Sequence, residues 1–258
     1  MSPDLTRLTV ASLNTRGIPI VGSRLGERYT AIAEVFEGSD VDVVNFQEVL
    51  TYYHLRRLVR SMPSYRFVSY RRSVAGPDGG LVTVSRIPVT GTGYQRFPIP
   101  SAGEVAGLPR LSRLKASLKG SLATRLARVS IVNTHLLANR DGDWSETNRF
   151  WSLHQSQLTA LGRYVGAVQQ PAIVSGDFNV ARDSSLYRDF IHDTGLLDAF
   201  GHDCPPTFHP AYLEPGKSSH CIDFLLLSDP SITVETAELT FTSGDLSDHL
   251  GLQVQVSF

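Results

Sequence analysis

Apolar and polar positions alternate along this chain at two periods, which divide it into strands and helices. Leu8-Thr9-Val10-Ala11-Ser12-Leu13 reads as a strand, with Asn14-Thr15-Arg16-Gly17 at its end. From about Arg24 to Phe36, the spacing of Leu25, Tyr29, Ile32, Ala33 and Phe36 makes one stripe of a helix. Val41 to Phe46 reads as a second strand ending in Gln47-Glu48, and Tyr52 to Arg60 has helical spacing at Leu55, Leu58 and Val59. Tyr65 to Tyr70, Gly80 to Ser85 and Val89 to Phe97 read as strands punctuated by Gly and Pro. Leu111 to Leu118 and Leu126 to Asn133 continue that strand pattern, the latter ending in Thr134-His135. A polar loop through Trp144 leads into a long helix with Phe150, Leu153, Leu158, Leu161, Val165 and Val168 inward. Pro171-Ala172-Ile173 opens a buried strand ending in Gly176-Asp177-Phe178-Asn179, and a short helix is expected near Leu186 to Ile191. Cys221 to Leu227, Ile232 to Phe241 and Leu250 to Val256 close the chain as strands.

Strands outnumber helices, the helices cluster in two places, and no linker, repeat or low-complexity segment divides the series. One α/β domain over residues 1–258 is expected, with sheets packed on each other and helices outside. A hydrophobic content of 41% with 19% charged residues supplies a sizeable core. No apolar run approaches membrane-span length and the first residues hold no apolar signal region, so the chain as written is expected to be soluble and cytoplasmic. Removal of a signal peptide would make it secreted instead. Cys204 and Cys221 flank one loop, and two free thiols are expected ahead of a single bridge.

The net charge of -1 conceals an asymmetry. Between Val49 and Arg140 fifteen Lys or Arg face only Asp78 and Glu104, a local balance of +13, so the remaining residues carry -14. Such a distribution suits a basic surface for an anionic partner and an acidic patch elsewhere, although a linear window need not form one face.

Strand after strand ends in a group able to bind metal or phosphate: Asn14, Glu48, His135, Asp177 with Asn179, Asp223, and Asp248-His249. Each has an ordinary structural reading alone; Asp177 and Asn179, for example, serve equally as an Asx-turn capping a strand. Asp223 is harder to dismiss, because an unpaired carboxylate inside an apolar run costs several kcal/mol. Side chains of adjacent residues diverge in extended backbone. His249 can therefore pair with Asp223 while Asp248 serves a metal.

In this order, Leu13-Asn14 with Arg16-Gly17, Phe46-Gln47-Glu48-Val49, Gly79-Gly80-Leu81 with Ser85-Arg86-Ile87-Pro88, Asn133-Thr134-His135-Leu136, Gly176-Asp177-Phe178-Asn179, Ile222-Asp223-Phe224 and Ser247-Asp248-His249 resemble the endonuclease/exonuclease/phosphatase superfamily of metal-dependent phosphoesterases. The resemblance spans nearly the whole chain. It implies a four-layer α/β sandwich of two mostly antiparallel sheets packed face to face with helices outside. It also implies that Asn14, Glu48 and Asp248 bind Mg2+, with Mn2+ or Ca2+ as alternatives that also suit oxygen ligands. Asp177 and Asn179 would position nucleophile, leaving group or a second metal. His249, oriented by Asp223, would be general base or phosphate contact, and His135 would bind phosphoryl oxygens. Phosphate-ester cleavage needs a barrier reduction of roughly 20 kcal/mol or more, whereas a general base supplies about 10²–10⁴-fold. The cation and the other polar groups are therefore required as well.

The substrate class is less legible. The Asn133 to Leu136 segment, with its following loop and the helix carrying Arg149 and Gln157, looks most like the sphingomyelinase-type and nuclease-like branches, and it lacks the Tyr-containing counterpart of the abasic-site repair enzymes. Tyr52, Tyr53, Trp144 and Trp151 are candidates for lipid contact, with core packing the alternative. Tyr65, Phe67, Tyr70, Arg71 and Arg72 interleave rings and cations as nucleic-acid or phosphoinositide surfaces do. Arg71, Arg72 and Arg140 are the expected substrate-binding cations. A monomeric phosphodiesterase is expected, lipid-type ahead of nuclease and phosphomonoesterase, with peripheral contact to an anionic surface. A non-catalytic polyanion-binding module is the reading from another class.

Overall fold

A computed structural model of the protein describes residues 6–18, 24–201 and 204–258. The elements are β1 (Arg7–Asn14), α1 (Leu25–Glu37), β2 (Val43–Gln47), α2 (Tyr52–Arg60), β3 (Phe67–Ser69), β4 (Val82–Ser85), β5 (Gly91–Arg96), α3 (Arg110–Ala116), β6 (Gly120–Arg125), β7 (Ser130–His135), α4 (Trp151–Gly166), β8 (Ala172–Asp177), α5 (Ser185–Thr194), β9 (Leu197–Asp198), β10 (Asp223–Leu227), β11 (Thr233–Thr240) and β12 (Gly251–Ser257). They form two six-stranded sheets, ordered β11-β12-β1-β2-β4-β3 and β5-β6-β7-β8-β10-β9. Each sheet has one parallel pair at its centre, β1 with β2 and β7 with β8, and every other pairing is antiparallel.

Alternation along the strands builds the layers. Leu8, Val10 and Val43 face Ile131, Ile173 and Leu225 between the sheets. Ala11, Leu13, Val44 and Phe46 face outward against Tyr29, Ile32 and Phe36 of α1 and Leu55 and Leu58 of α2. On the other side Val132, Val174 and Phe224 meet Leu158 and Leu161 of α4 and Phe190 of α5. The central strands are thus apolar on both faces, which explains their nearly continuous hydrophobic runs. The expected four-layer sandwich is the fold observed.

Toward the carboxyl ends of β2, β7 and β8 the inter-sheet filling becomes polar. Asn45 Nδ2 donates to Ser175 Oγ at 2.9 Å, and Thr83 Oγ1 donates to Asn45 Oδ1 at 2.6 Å. Gln47 Nε2 donates to Asn133 Oδ1 at 2.8 Å, while Asn133 Nδ2 donates to the carbonyls of Phe46 and Val82 at 3.0 Å each. All these side chains are buried. Removing one member strands its partners without water. Asn133→Ala is therefore expected to lower stability by about 2–4 kcal/mol, read as a lower urea midpoint with an unchanged slope. A midpoint equal to wild type would show that the network adds nothing.

One segment differs in kind from its sequence reading. Leu111 to Leu118 is not a strand: Arg110–Ala116 forms α3, which buries Ser112 and Ala116, spaced one helical turn apart, and follows Pro109. Proline favours a helix start, and the leucines at 111, 114 and 118 already have helical spacing. The strand of this region is β6, which pairs with both β5 and β7, and Leu126 to Val129 is the turn into β7. Its sequence, Gly-Ser-Leu-Ala-Thr-Arg, has too little apolar contrast to stand out. The short β9 is another strand without a sequence signal. Cys204 and Cys221 are free thiols, with sulfurs 3.1 Å apart.

Candidate active site

The carboxyl ends of β1, β2, β7 and β8 lie together because the central pairs are parallel. Asn14 pairs with Gln47 in one sheet and His135 with Asp177 in the other. Across the sandwich Asn14 Nδ2 donates to Asp177 Oδ2 at 2.9 Å. Antiparallel β10 begins beside this edge, so Asp223 pairs with Asp177. The segment before β12 delivers Asp248 and His249, and Ser247 Oγ secures it by donating to the Asn14 carbonyl at 2.6 Å.

His249 and Asp223 form the tightest unit. His249 Nδ1 lies 2.9 Å from Asp223 Oδ2, both residues being buried. The carboxylate partner makes Nδ1 the donor, which leaves Nε2 directed toward Asp177 Oδ2 at 3.8 Å. Thr207 Oγ1 donates to the same Asp223 oxygen at 2.6 Å and itself accepts from the Ile222 and Asp223 amides at 3.0 and 3.1 Å. Burial alone would depress the His249 pKa, but the Asp223 and Asp177 carboxylates outweigh it and hold the imidazole well above its usual value. Burial pushes Asp177 up to about 7, with Asp223 adding to the rise and His249 and Lys119 opposing it.

His135 is different. Its Nε2 sits 3.3 Å from Asp177 Oδ2, while its buried Nδ1 has no hydrogen-bond partner. Burial and the nearby Lys119 hold its pKa well below the usual value, so it is neutral. Phe178 turns into the core while Asp177 and Asn179 stay at the edge, as their alternation requires. Asp177 Oδ1 accepts from the Asn179 amide at 2.9 Å, so the Asx-turn and the polar edge are both present. Asn179 Nδ2 donates to the Leu136 carbonyl at 3.1 Å, and Trp144 Nε1 donates to the Asn179 carbonyl at 2.9 Å.

Glu48 leaves β2 with φ of 64°, held there by Tyr29 Oη, which donates to its carbonyl at 2.9 Å. Its carboxylate makes no hydrogen bond or ion pair to another described residue. Asp248 Oδ1 is buried with no hydrogen-bond partner, and its Oδ2 lies 3.6 Å from Arg16 Nε. The Glu48 carboxylate without a protein partner and the buried, unpartnered Asp248 oxygen are of the hard type that suits a divalent cation. A ligand atom from each of Asp177, Asp223 and His249 also falls within 4.8 Å of the others, an arrangement compatible with a cation. The bound Asp223 oxygen there already accepts from Thr207 and His249, which favours a hydrogen-bond relay.

Of the expected substrate cations, Arg71 reaches Asp78 at 3.5 Å and stacks on Tyr94. Arg72 lines a surface cavity of about 390 Å³ with Tyr52, Leu55, Arg56 and Tyr70. Arg140 is exposed on the loop after β7. None of the three touches the cluster just described. Lys119 does act on it. This half-buried lysine feels the charges of Glu48 and Asp177, which partly offset the burial and the Lys115 charge that bring it down to about 8. Lys119 and Thr207 carry no sequence signal: the one follows the leucine-rich Leu111 to Leu118 segment, the other lies in a proline-flanked loop with no pattern.

Residues 11–249 match the Endonuclease/Exonuclease/phosphatase family. The "Putative neutral sphingomyelinase" of Drosophila melanogaster is 24% identical over 213 residues, covering 77% of this chain but 45% of that protein, so the chain spans less than half of that relative's length. The solved endonuclease/exonuclease/phosphatase from Bacteroides vulgatus is similar with a TM-score of 0.74 at 18% identity, over 98% of this chain and 99% of its own. Sphingomyelinase C from Streptomyces griseocarneus gives 0.71 at 19% identity, over 96% of this chain and 99% of its own. The two structures share the fold with this chain.

Proposed function

The chain belongs to the Endonuclease/Exonuclease/phosphatase family of metal-dependent phosphoesterases, and from that premise we propose that it is a phosphodiesterase of sphingomyelinase-like type. The observation that carries the reaction is the buried His249–Asp223 pair whose Nε2 opens toward Asp177, beside the buried, unpartnered Oδ1 of Asp248. Asn14, Glu48 and Asp248 would hold the divalent cation, Mg2+ by donor chemistry, which when bound supplies positive charge to the phosphoryl oxygens.

The chain's own residues do the rest. Asp223 accepts the Nδ1 proton of His249, fixes the ring and steadies the positive charge that forms when Nε2 takes a proton from water. Asp177, joined to Asn14, His135 and the Asn179 amide, holds one edge of the pocket rigid. Neutral His135, Lys119 and Asn179 supply donors and charge toward the equatorial phosphoryl oxygens, where negative charge builds in the transition state. The sphingomyelinase-like character draws its support from the Drosophila relative and from the loop and helix after His135.

The test is turnover of bis-p-nitrophenyl phosphate with Mg2+, with EDTA, and with Mg2+ restored, beside sphingomyelin, plasmid DNA, RNA and phosphoinositides. Activity is expected to fall to background in EDTA, to return with Mg2+, and to be highest on sphingomyelin. EDTA-resistant turnover would overturn the metal role, and preferential cleavage of nucleic acid would overturn the lipid assignment.

A further inference from the structure

Helix α3 buries its small residues and exposes its large ones, the reverse of a helix that serves the core. Ser112 and Ala116 face inward, Ala116 against Leu108, Leu137, Phe150 and Leu153. Leu111 and Leu114, three positions apart on the helix, stand outward at 58% and 62% exposure, and Leu118 in the turn just past it is 46% exposed. Ile99, on the same excursion between β5 and β6, is 86% exposed. Three cations, Arg110, Arg113 and Lys115, accompany the stripe, and no acid occurs from Val105 to Lys119.

The excursion sits at the rim of the candidate active site. It returns to the sheet at Gly120, which pairs with His135, the neighbour of Asp177. The charges of Lys115 and Lys119 reach His135. By contrast, three of the aromatics considered for lipid contact are engaged elsewhere: Tyr52 donates to the Ser73 carbonyl, Trp144 to that of Asn179, and Trp151 packs on the core.

We propose that the Leu111-Leu114-Leu118 stripe and its flanking cations dock the protein on an anionic lipid bilayer, with the active-site rim against the membrane. An interfacial helix has this make-up: leucines entering the acyl boundary, basic side chains reaching the headgroup phosphates. Charge complementarity selects the occupant. A second copy related by a two-fold axis would set three cations against the same three, a repulsion that an anionic surface turns into attraction. The purpose of docking rests on the lipid-directed reading of the site, but docking itself is measurable without turnover.

The experiment is co-sedimentation with phosphatidylcholine vesicles containing about one-third phosphatidylserine and with pure phosphatidylcholine vesicles. Wild type should bind the anionic vesicles and release at high salt. The triple variant Leu111→Ser, Leu114→Ser, Leu118→Ser should bind at least about tenfold more weakly. Arg110→Glu with Arg113→Glu should lose binding to the anionic vesicles as well. A cooperative thermal melt and wild-type hydrolysis of soluble bis-p-nitrophenyl phosphate certify that the triple variant is folded. Equal binding by wild type and triple variant, or equal binding to both vesicle types, would overturn the proposal. A concentration-dependent dimer in sedimentation that the triple variant abolishes would assign the stripe to a second copy instead. Binding to vesicles without hydrolysis of any phosphodiester would leave docking standing and remove the proposed function.

Discussion

His249→Gln is expected to lower kcat for phosphodiester hydrolysis by about 10²–10⁴-fold with KM little changed, the range that a positioned proton acceptor supplies. Glutamine can keep a polar group near Asp223 but cannot accept a proton at Nε2. Asp223→Asn is expected to cost a similar factor by a different route. A carboxamide nitrogen can donate to Nδ1, which places the ring proton on Nε2, the atom that must be free. Thr207 donates to the same Asp223 oxygen that faces Nδ1, so a nitrogen there displaces that bond too, and a cooperative thermal melt is read beside the rate. Combining both substitutions should cost little more than either alone, because the pair acts as a unit. Single-turnover rates on bis-p-nitrophenyl phosphate check all three. Wild-type turnover in His249→Gln would sink the assignment of the proton acceptor, and fully multiplicative losses would show that the two residues act independently.

The other large effect is expected at a residue without a functional group. A Cβ on Gly17 would lie 1.7 Å from the Glu48 carbonyl oxygen and 2.6 Å from Tyr29 Oη. Backbone there cannot absorb a methyl group. Glu48 sits in the left-handed region, and the Tyr29 hydroxyl keeps it there. Gly17→Ala must therefore push the Glu48 main chain aside and re-aim its carboxylate. On the proposed ligand role of Glu48, disturbing its support weakens metal affinity by about 10–100-fold, and overpacking typically destabilises by about 1–3 kcal/mol. The Mg2+ concentration giving half-maximal activity should rise by that factor, and calorimetric Mg2+ titration should show the same shift without substrate. Gly166→Ala is the control, since no atom lies within 4 Å of its added Cβ. An unchanged Mg2+ requirement in Gly17→Ala would remove Glu48 from the ligand set.

Much of this protein is legible without a structure. Apolar runs such as Val43–Val44 and Ala172–Val174 record strands covered on both faces, and the stripes of α1 and α4 record helices covered on one. Such patterns depend only on what each residue's immediate surroundings exclude. The polar groups closing those runs, Asn14, Glu48, His135, Asp177 and Asp223, are likewise visible, because a polar side chain at the end of an apolar strand breaks the local pattern. So is the divergence of Asp248 and His249, a consequence of extended backbone.

Which of those groups meet was decided only by tertiary structure. The Asn14–Asp177 bond joins strands of different sheets, and its length depends on how the sheets are registered and packed. Thr207 reaches Asp223 because its loop is pinned between two chain segments, by a bond from its amide to the His220 carbonyl and one to its own carbonyl from the Leu250 amide. Lys119 and the leucines of α3 went unrecognised for a related reason. A short run of leucines fits a strand or a helix until the neighbouring surface decides which residues it covers, and here that surface takes Ser112 and Ala116. Local periodicity is set by burial within a few residues of chain, whereas a site is set by distances between residues far apart in sequence, which packing alone fixes.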